Sequence, residues 1–223
     1  DIVVHSTTKF LSGHGNAMGG AIVDSGTFDW AQNDKYPSLA QPEEAYHGLN
    51  FYESFGDLAY TTYGHAVGLR DLGPTMAPMN AYLTIMGIET LALRMEKHVA
   101  NAEVVANYLH NHAKVSWVSY AGLEESNYFH LAKKYLPKGA GSVFTFGIKG
   151  GYDAGVKFVE KCQLLSHLAN IGDTRSLVLH PASTTHRQLT ETQRISAGAG
   201  DDVIRLSIAV SYTHLTLPTI QPV

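Results

Sequence analysis

The sequence predicts an α/β protein, because strand-like and helix-like segments alternate along most of its 223 residues. An apolar, strand-like run at residues 2–5 leads into a glycine-rich turn. Residues 79–112 carry apolar side chains at three- and four-residue intervals, as a packed helix does. Strand and helix patterns then alternate through residues 115–210, and an apolar content of 44% is sufficient for a real core.

The first strand ends in residues that carry chemistry. We expect residues 2–5 to be a buried strand that delivers Ser6, Thr8 and Lys9 to a turn. Strand ends in α/β proteins hold functional groups rigidly beside an open loop. A lysine beside two hydroxyls suits a carbonyl-bearing cofactor with a phosphate tail, although a lysine after a strand is more often a surface residue. A buried strand with no preceding strand to pair with also predicts that the sequence starts within a domain.

The following segments are rich in glycine and then in aromatic residues. The run at 13–20 lacks the spacing of the known nucleotide-binding glycine motifs, so it predicts tight turns that let backbone approach a ligand. Residues 21–24 are predicted to form a second short strand. Between residues 27 and 78, aromatic side chains alternate with prolines and glycines. This pattern predicts short helices and ordered loops around a site or a subunit contact.

The remaining elements follow from periodicity. Residues 79–112 predict one long helix with a single packed face. The later strands are predicted at 115–120, 142–148, 176–179 and 203–210, with helices at 132–135 and 155–168.

Composition excludes several classes of function. The net charge is −4 and the basic residues are scattered, which argues against nucleic acid as a partner. No apolar stretch approaches the roughly 20 residues that a membrane span needs. The single cysteine, Cys162, excludes an internal disulfide and fits a reducing compartment, but it does not determine the location. We expect a cytoplasmic protein.

Two further stretches are candidates for a site. Residues 172–186 are rich in hydroxyls and contain His180 and His186, for which a hydrogen-bonded scaffold is favoured over metal binding because no carboxylate or cysteine completes a ligand set. Arg205 lies within an apolar strand, which is costly unless its guanidinium meets an anion. A structural salt bridge and the carboxylate of an amino-acid substrate both satisfy that need.

Together these stretches resemble the Cys/Met-metabolism family of pyridoxal-phosphate (PLP) enzymes. The segments HSTTKF with GHG, GDTRSLVLHPASTTH and VIRLSI are similar to the family's cofactor-lysine segment, substrate loop and arginine strand. Residues 28–30, 46–51 and 80–98 are most similar to O-acetylhomoserine sulfhydrylases. The resemblance implies the aspartate-aminotransferase-like fold (fold type I) and PLP as the cofactor.

The resemblance also implies roles for individual residues. Lys9 is expected to bind PLP covalently and to act in catalysis, while Ser6 and Thr8 are expected to bind its phosphate. Arg205 is expected to pair with the α-carboxylate of the substrate, assisted by the backbone of Ser176, with Thr185 near the substrate. The implied reaction replaces the acetate of O-acetylhomoserine with sulfide or a thiol, giving homocysteine or methionine.

Two alternatives stay open. A cystathionine γ-synthase, or a methionine or cystathionine γ-lyase, of the same family would use the same lysine chemistry. A module that serves only subunit contacts is an alternative of another class. The family also implies a homotetramer that borrows residues between subunits.

The family's ring-stacking aromatic and pyridinium-binding aspartate lie upstream of the lysine. The resemblance therefore implies a C-terminal fragment that is inactive alone. Its expected domains are residues 1–114, the end of the PLP-binding large domain with a long connecting helix, and 115–210, a small C-terminal α/β domain. Residues 211–223 match nothing in the family and are expected to be an artefact.

Overall fold

Runs of β-branched residues form the first two strands, β1 (Ile2–Ser6) and β2 (Gly20–Asp24). The strands pair antiparallel, with Val3 opposite Val23. The burial predicted for β1 is wrong, because Val3 and Val4 are 55% and 74% exposed. Among the residues that the structure describes, this sheet has two strands only, so most of its side chains have no neighbouring strand beside them.

The computed structural model describes residues 1–210, and the tail at 211–223 lies outside them. The chain divides into two compact units. Of the described residues, one unit comprises Asp1–Thr7 with Met18–Tyr82, and the other comprises Thr8–Ala17 with residues 83–210. These units follow a different boundary from the domains expected at 1–114 and 115–210, which stay a prediction.

The aromatic segment forms the core of the first unit, as short helices rather than one long element. Trp30 stacks on Tyr60 with ring centroids 5.4 Å apart, and Phe51 is almost completely buried. Aromatic rings bury a large apolar area each, so a few of them suffice for a small core. Its helical elements are α1 (Pro37–Ala40), α2 (Phe51–Phe55), α3 (Ala59–Tyr63), the 3-10 turns Glu44–Tyr46 and Gly56–Leu58, and the π-helix Gly64–Asp71.

The long helix predicted at 79–112 is two helices. They are α4 (Pro78–Glu89) and α5 (Leu91–His110), and Thr90 is the single residue between them. The Thr90 hydroxyl donates to the carbonyl of Gly87 at 3.3 Å, and such side-chain bonds compete with helical backbone bonds. The predicted apolar face of α5 is buried in its second half, at Ala102, Val105 and Leu109. In the first half the buried residues are the polar Arg94 and His98, and the predicted Leu91, Met95 and Val99 are half-buried.

A five-stranded sheet forms the frame of the second unit, in the order β3-β4-β7-β6-β5. All neighbours are antiparallel except β5 and β6. The strands are β3 (Val115–Ser119), β4 (Val143–Ile148), β5 (Ser166–His167), β6 (Leu177–Leu179) and β7 (Val203–Ser207). The other helical elements are α6 (Phe129–Tyr135), α7 (Gly151–Lys161), the 3-10 turn Pro181–Ser183 and α8 (Glu191–Ser196).

The alternation read from β4 is confirmed. Phe144, Phe146 and Ile148 enter the main core, together with Ile204 and Leu206 of β7. Helices α5 and α7 supply apolar residues to the same core. Since successive strand residues point to opposite faces, Arg205 lies on the face of the sheet opposite to this core.

Candidate active site

Lys9 lies in a tight turn that follows β1 along the chain. The amide of Gly13 donates to the carbonyl of Lys9 at 2.8 Å, and the Ser12 hydroxyl donates to the carbonyl of Thr8 at 3.2 Å. The half-buried Lys9 amine donates to Oδ1 of Asn170 at 2.6 Å. Within residues 1–210 this amine forms no ion pair with a carboxylate.

The loop after Asn170 is bonded both to the lysine turn and to the sheet. The amide of Gly172 donates to the Ser207 hydroxyl at 3.0 Å, and the amide of Thr174 donates to the carbonyl of Gly13 at 2.8 Å. Gly172 has φ +74°, and a Cβ there would lie 2.7 Å from the amide nitrogen of Phe10. Only glycine combines this backbone conformation with so close an approach.

Asp173 stabilises the same loop through hydrogen bonds to a residue within it. Its carboxylate is 2% exposed and accepts from the amide of Arg175 at 2.9 Å and from that residue's Nε and Nη2 at 3.2 Å. Burial acts to raise the pKa of Asp173, but the hydrogen bonds and charge of Arg175 outweigh it and hold the pKa below its usual value. The carboxylate is therefore ionised and bonded at neutral pH.

Arg205 occupies the central strand, between Thr145 of β4 and Leu179 of β6. It is half-buried, and burial lowers the pKa of its guanidinium. No residue within 1–210 forms a hydrogen bond or an ion pair with this side chain. Ser207, two residues along the strand, lies on the same face and bonds the Gly172 loop. A partly desolvated guanidinium without an anion is the arrangement expected of a carboxylate-binding residue.

Helix α5 supports the site from below with a buried arginine. Arg94 is 7% exposed and donates to the carbonyls of Phe10 at 2.9 Å, Leu11 at 3.3 Å and Gly87 at 2.6 Å. Its Nε donates to the Thr90 hydroxyl at 3.1 Å. Burial lowers the pKa of the guanidinium, and four hydrogen bonds compensate for its desolvation.

Two further residues of α5 hold the chain just after β7. His98 is fully buried, its Nδ1 bonds the carbonyl of Ile208, and Asn101 donates to the carbonyl of Ala209 at 2.7 Å. Burial lowers the pKa of His98 despite the bond to Ile208, so the ring is neutral and Nδ1 carries the proton. Its Nε2 has no partner within the described residues, and the ring packs edge-on against Phe10 at 5.3 Å.

The other predicted site residues lie in different surroundings. Ser6 is the exposed last residue of β1, and Thr8 is half-buried in the turn of Lys9. The Ser176 hydroxyl accepts from the amide of Ala209 at 2.9 Å, and Thr185 is exposed and bonds the His186 ring at 2.8 Å. The roles expected of these four residues, for Ser176 that of its backbone, stay predictions.

His180 is part of the scaffold, as the sequence favoured. It is fully buried, with Nδ1 2.9 Å from the Ser183 hydroxyl and Nε2 2.9 Å from the carbonyl of Asp201. Over residues 1–210, no group of three or more histidines, cysteines or acidic residues could hold a metal ion, and no helix is long and apolar enough to cross a membrane.

Sequence reasoning missed Asn170, Asp173 and Arg94. The polar pair around Gly172 was a usable signal, since a glycine between an amide and a carboxylate is typical of a loop that approaches other backbone closely. Arg94 gave no such signal, because a polar residue within a helix usually faces solvent.

A mixed sheet with helices, and a lysine turn that the Gly172 loop links to strand β7, are features of the class of fold type I PLP-dependent enzymes. The sequence model of the Cys/Met metabolism PLP-dependent enzymes matches residues 1–214. The chain belongs to this family.

Two curated relatives are closely similar. A homocysteine synthase of Schizosaccharomyces pombe is 50% identical over 213 residues, covering 95% of this chain and 50% of the relative. An O-acetyl-L-homoserine sulfhydrylase of Leptospira meyeri is 47% identical over 219 residues, covering 94% of this chain and 49% of the relative. The chain thus spans about half the length of the curated relatives it matches.

Solved structures support the same placement. A Campylobacter jejuni structure described as an O-acetylhomoserine (thiol)-lyase, with a pyridoxyl-lysine monophosphate, superposes with a TM-score of 0.90 at 40% identity and covers 96% of this chain and 51% of its own. A cystathionine gamma synthase of Xanthomonas oryzae in complex with cystathionine superposes with a TM-score of 0.71 at 31% identity. It covers 97% of this chain and 48% of its own.

Proposed function

We propose that this chain is the C-terminal half of an O-acetylhomoserine sulfhydrylase, which replaces acetate with sulfide or a thiol to give homocysteine or methionine. The observation that carries the proposal is Arg205, a half-buried guanidinium without an anionic partner among the described residues. Its planar fork suits the α-carboxylate of an amino acid. The relatives named above and the higher TM-score of the thiol-lyase favour this reaction over that of a cystathionine γ-synthase.

The residues present fit PLP. The Lys9 amine is bonded to a neutral amide oxygen rather than to a carboxylate, which leaves it available for covalent attachment to an aldehyde. Ser6 and Thr8 supply two hydroxyls within three residues of it along the chain, and hydroxyls can donate to a phosphate. When bound, PLP supplies an electron sink next to the α-carbon of the substrate.

The chain's own residues then have distinct tasks. Arg205 orients the substrate by its carboxylate, with the backbone of Ser176 and the nearby Thr185 completing the contact. The Lys9 Nζ atom, released by the incoming amino group, moves protons on and off the substrate. Loss of a proton from Cβ allows acetate to leave Cγ, and sulfide or a thiol adds at that carbon.

The test of this proposal uses the full-length enzyme that contains this chain. Borohydride reduction followed by peptide mass spectrometry should place PLP on Lys9, and Lys9→Ala should abolish both the label and turnover. Lys97 is an exposed lysine on α5, so Lys97→Ala is the matched control and should keep both the label and turnover. Label retained in the Lys9→Ala protein would show that another residue binds the cofactor.

A second set of assays separates the alternatives. Turnover of O-acetylhomoserine with sulfide, measured against cystathionine and methionine as substrates, distinguishes the sulfhydrylase from a γ-synthase or γ-lyase. Titration of the isolated chain with PLP tests the alternative of a module for subunit contacts only, which stoichiometric attachment to Lys9 would exclude. We further propose a homotetramer in the cytoplasm, with residues 1–114 in the cofactor domain and 115–210 in the small domain.

A further inference from the structure

We propose that Asn170 is a positioning residue that receives and aims the Lys9 amine whenever that amine is not covalently bound. This inference rests on the proposed function, because it gives Asn170 a task in the exchange of Lys9 for the amino group of the substrate. The contact joins residues 161 positions apart, at 2.6 Å between Nζ and Oδ1.

The chemistry of the two groups determines the orientation of the amide. A lysine amine in its charged form has donors only, so the amide must present its oxygen to Lys9. An amide oxygen accepts from both the neutral and the charged amine, whereas a carboxylate favours the charged form strongly. Asn170 therefore holds the amine in place while opposing the neutral form that attacks a carbonyl less than a carboxylate would.

The loop that carries Asn170 is fixed on both sides. Gly172, two residues later, bonds the Ser207 hydroxyl and lies against the backbone of Phe10, the residue after Lys9. Thr174 bonds the carbonyl of Gly13 in the lysine turn. Asn170 is thus held at a constant position relative to the backbone of Lys9.

The same loop links Lys9 to the arginine strand. Ser207 lies two residues from Arg205 on one face of β7 and accepts the bond from Gly172. Because this loop is bonded to the lysine turn and to β7, it holds the freed amine at a defined position relative to a substrate bound at Arg205. Because a lysine side chain has four rotatable bonds, a fixed acceptor removes much of the search for the productive geometry.

The experiment measures attachment of PLP to the full-length apo enzyme, followed by visible absorbance and verified at Lys9 by borohydride trapping. Asn170→Leu, which removes the acceptor, should slow attachment roughly tenfold to a hundredfold. Asn170→Asp keeps the shape and adds a charge that favours the protonated amine. Its pH profile of attachment should therefore move upward by about one to two pH units.

Asn33→Asp is the matched control, because Asn33 is exposed and its Oδ1 accepts only from the amide of Lys35. Its pH profile should coincide with that of the wild type. An unchanged profile in Asn170→Asp, or a wild-type rate in Asn170→Leu, would overturn the inference while leaving PLP on Lys9 and the proposed function intact. Absence of PLP from Lys9 in the wild-type enzyme would instead overturn the proposed function.

Discussion

The Nη1 atom of Arg94 donates to the carbonyl oxygen of Phe10 at 2.9 Å, across 84 positions of sequence. Phe10 directly follows Lys9, so a buried charge on α5 holds the backbone next to this lysine. The same guanidinium bonds Leu11 and Gly87 and thereby joins the lysine turn to the end of α4.

Replacement of Arg94 by methionine should destabilise the full-length protein by about 2–4 kcal/mol, because buried carbonyls lose charged donors. Arg94→Lys keeps the charge but not the planar fork, so it should recover only part of the loss. Urea unfolding measures both. An Arg94→Met protein as stable as the wild type would show that water replaces the guanidinium.

Gly87→Ala should damage the lysine turn from the helix side. A Cβ at Gly87 would lie 2.3 Å from the carbonyl oxygen of Ser12 and 2.5 Å from that of Leu11. We expect a cost of about 1–3 kcal/mol in the free energy of unfolding, as for other overpacked sites. Gly68→Ala is the control, since a Cβ there has nothing within 4 Å, and it should be neutral or stabilise by about 0.5–1 kcal/mol. Equal stabilities of the two variants would contradict this expectation.

Arg205→Lys should weaken binding of the amino-acid substrate by roughly tenfold to a hundredfold, because a lysine cannot form the paired bonds of a guanidinium. The effect should appear mainly in KM, measured with O-acetylhomoserine. Arg187→Lys, at an exposed position, should leave KM unchanged. An Arg205→Lys enzyme with wild-type KM would assign the carboxylate to another residue.

Asp173 should make stability sensitive to acid. Its pKa in the folded protein lies below the ordinary value of 3.8, so as pH falls the unfolded chain binds a proton first. The stabilising contribution is complete above the ordinary pKa and is lost as pH falls through the lower, folded-state value. Urea unfolding from pH 5 downward should therefore show Asp173→Asn losing less stability than the wild type. Parallel curves would mean that Asp173 titrates alike in both states.

Local pattern was sufficient for much of the fold. The alternation around Phe146 predicted strand β4 and its buried face, and the spacing along α5 predicted the burial of Ala102, Val105 and Leu109. The apolar spacing failed to predict the break between α4 and α5. It carries no information about the hydrogen bond from the Thr90 hydroxyl to the carbonyl of Gly87, where the helix is interrupted. It failed also for β1, whose apolar residues predicted a buried strand that is exposed among the described residues.

The candidate site divides in the same way. Arg205 could be chosen from the sequence because an arginine in an apolar strand conflicts with its surroundings, and Lys9 because two hydroxyls and a glycine turn accompany it. The resemblance supplied the roles expected of both. Asn170 and Arg94 do not conflict with their surroundings, and an asparagine in a loop or an arginine in a helix is ordinary.

By itself, the sequence determined the α/β class, because strand and helix periodicity are local properties, and it made Lys9 and Arg205 candidates whose roles stay predictions. Tertiary structure alone decided that Asn170 meets the Lys9 amine and that Arg94 bonds the next residue, Phe10. Both contacts join segments far apart in the chain. They form only once the loop at Gly172 and helix α5 have packed against the lysine turn, which no local periodicity encodes.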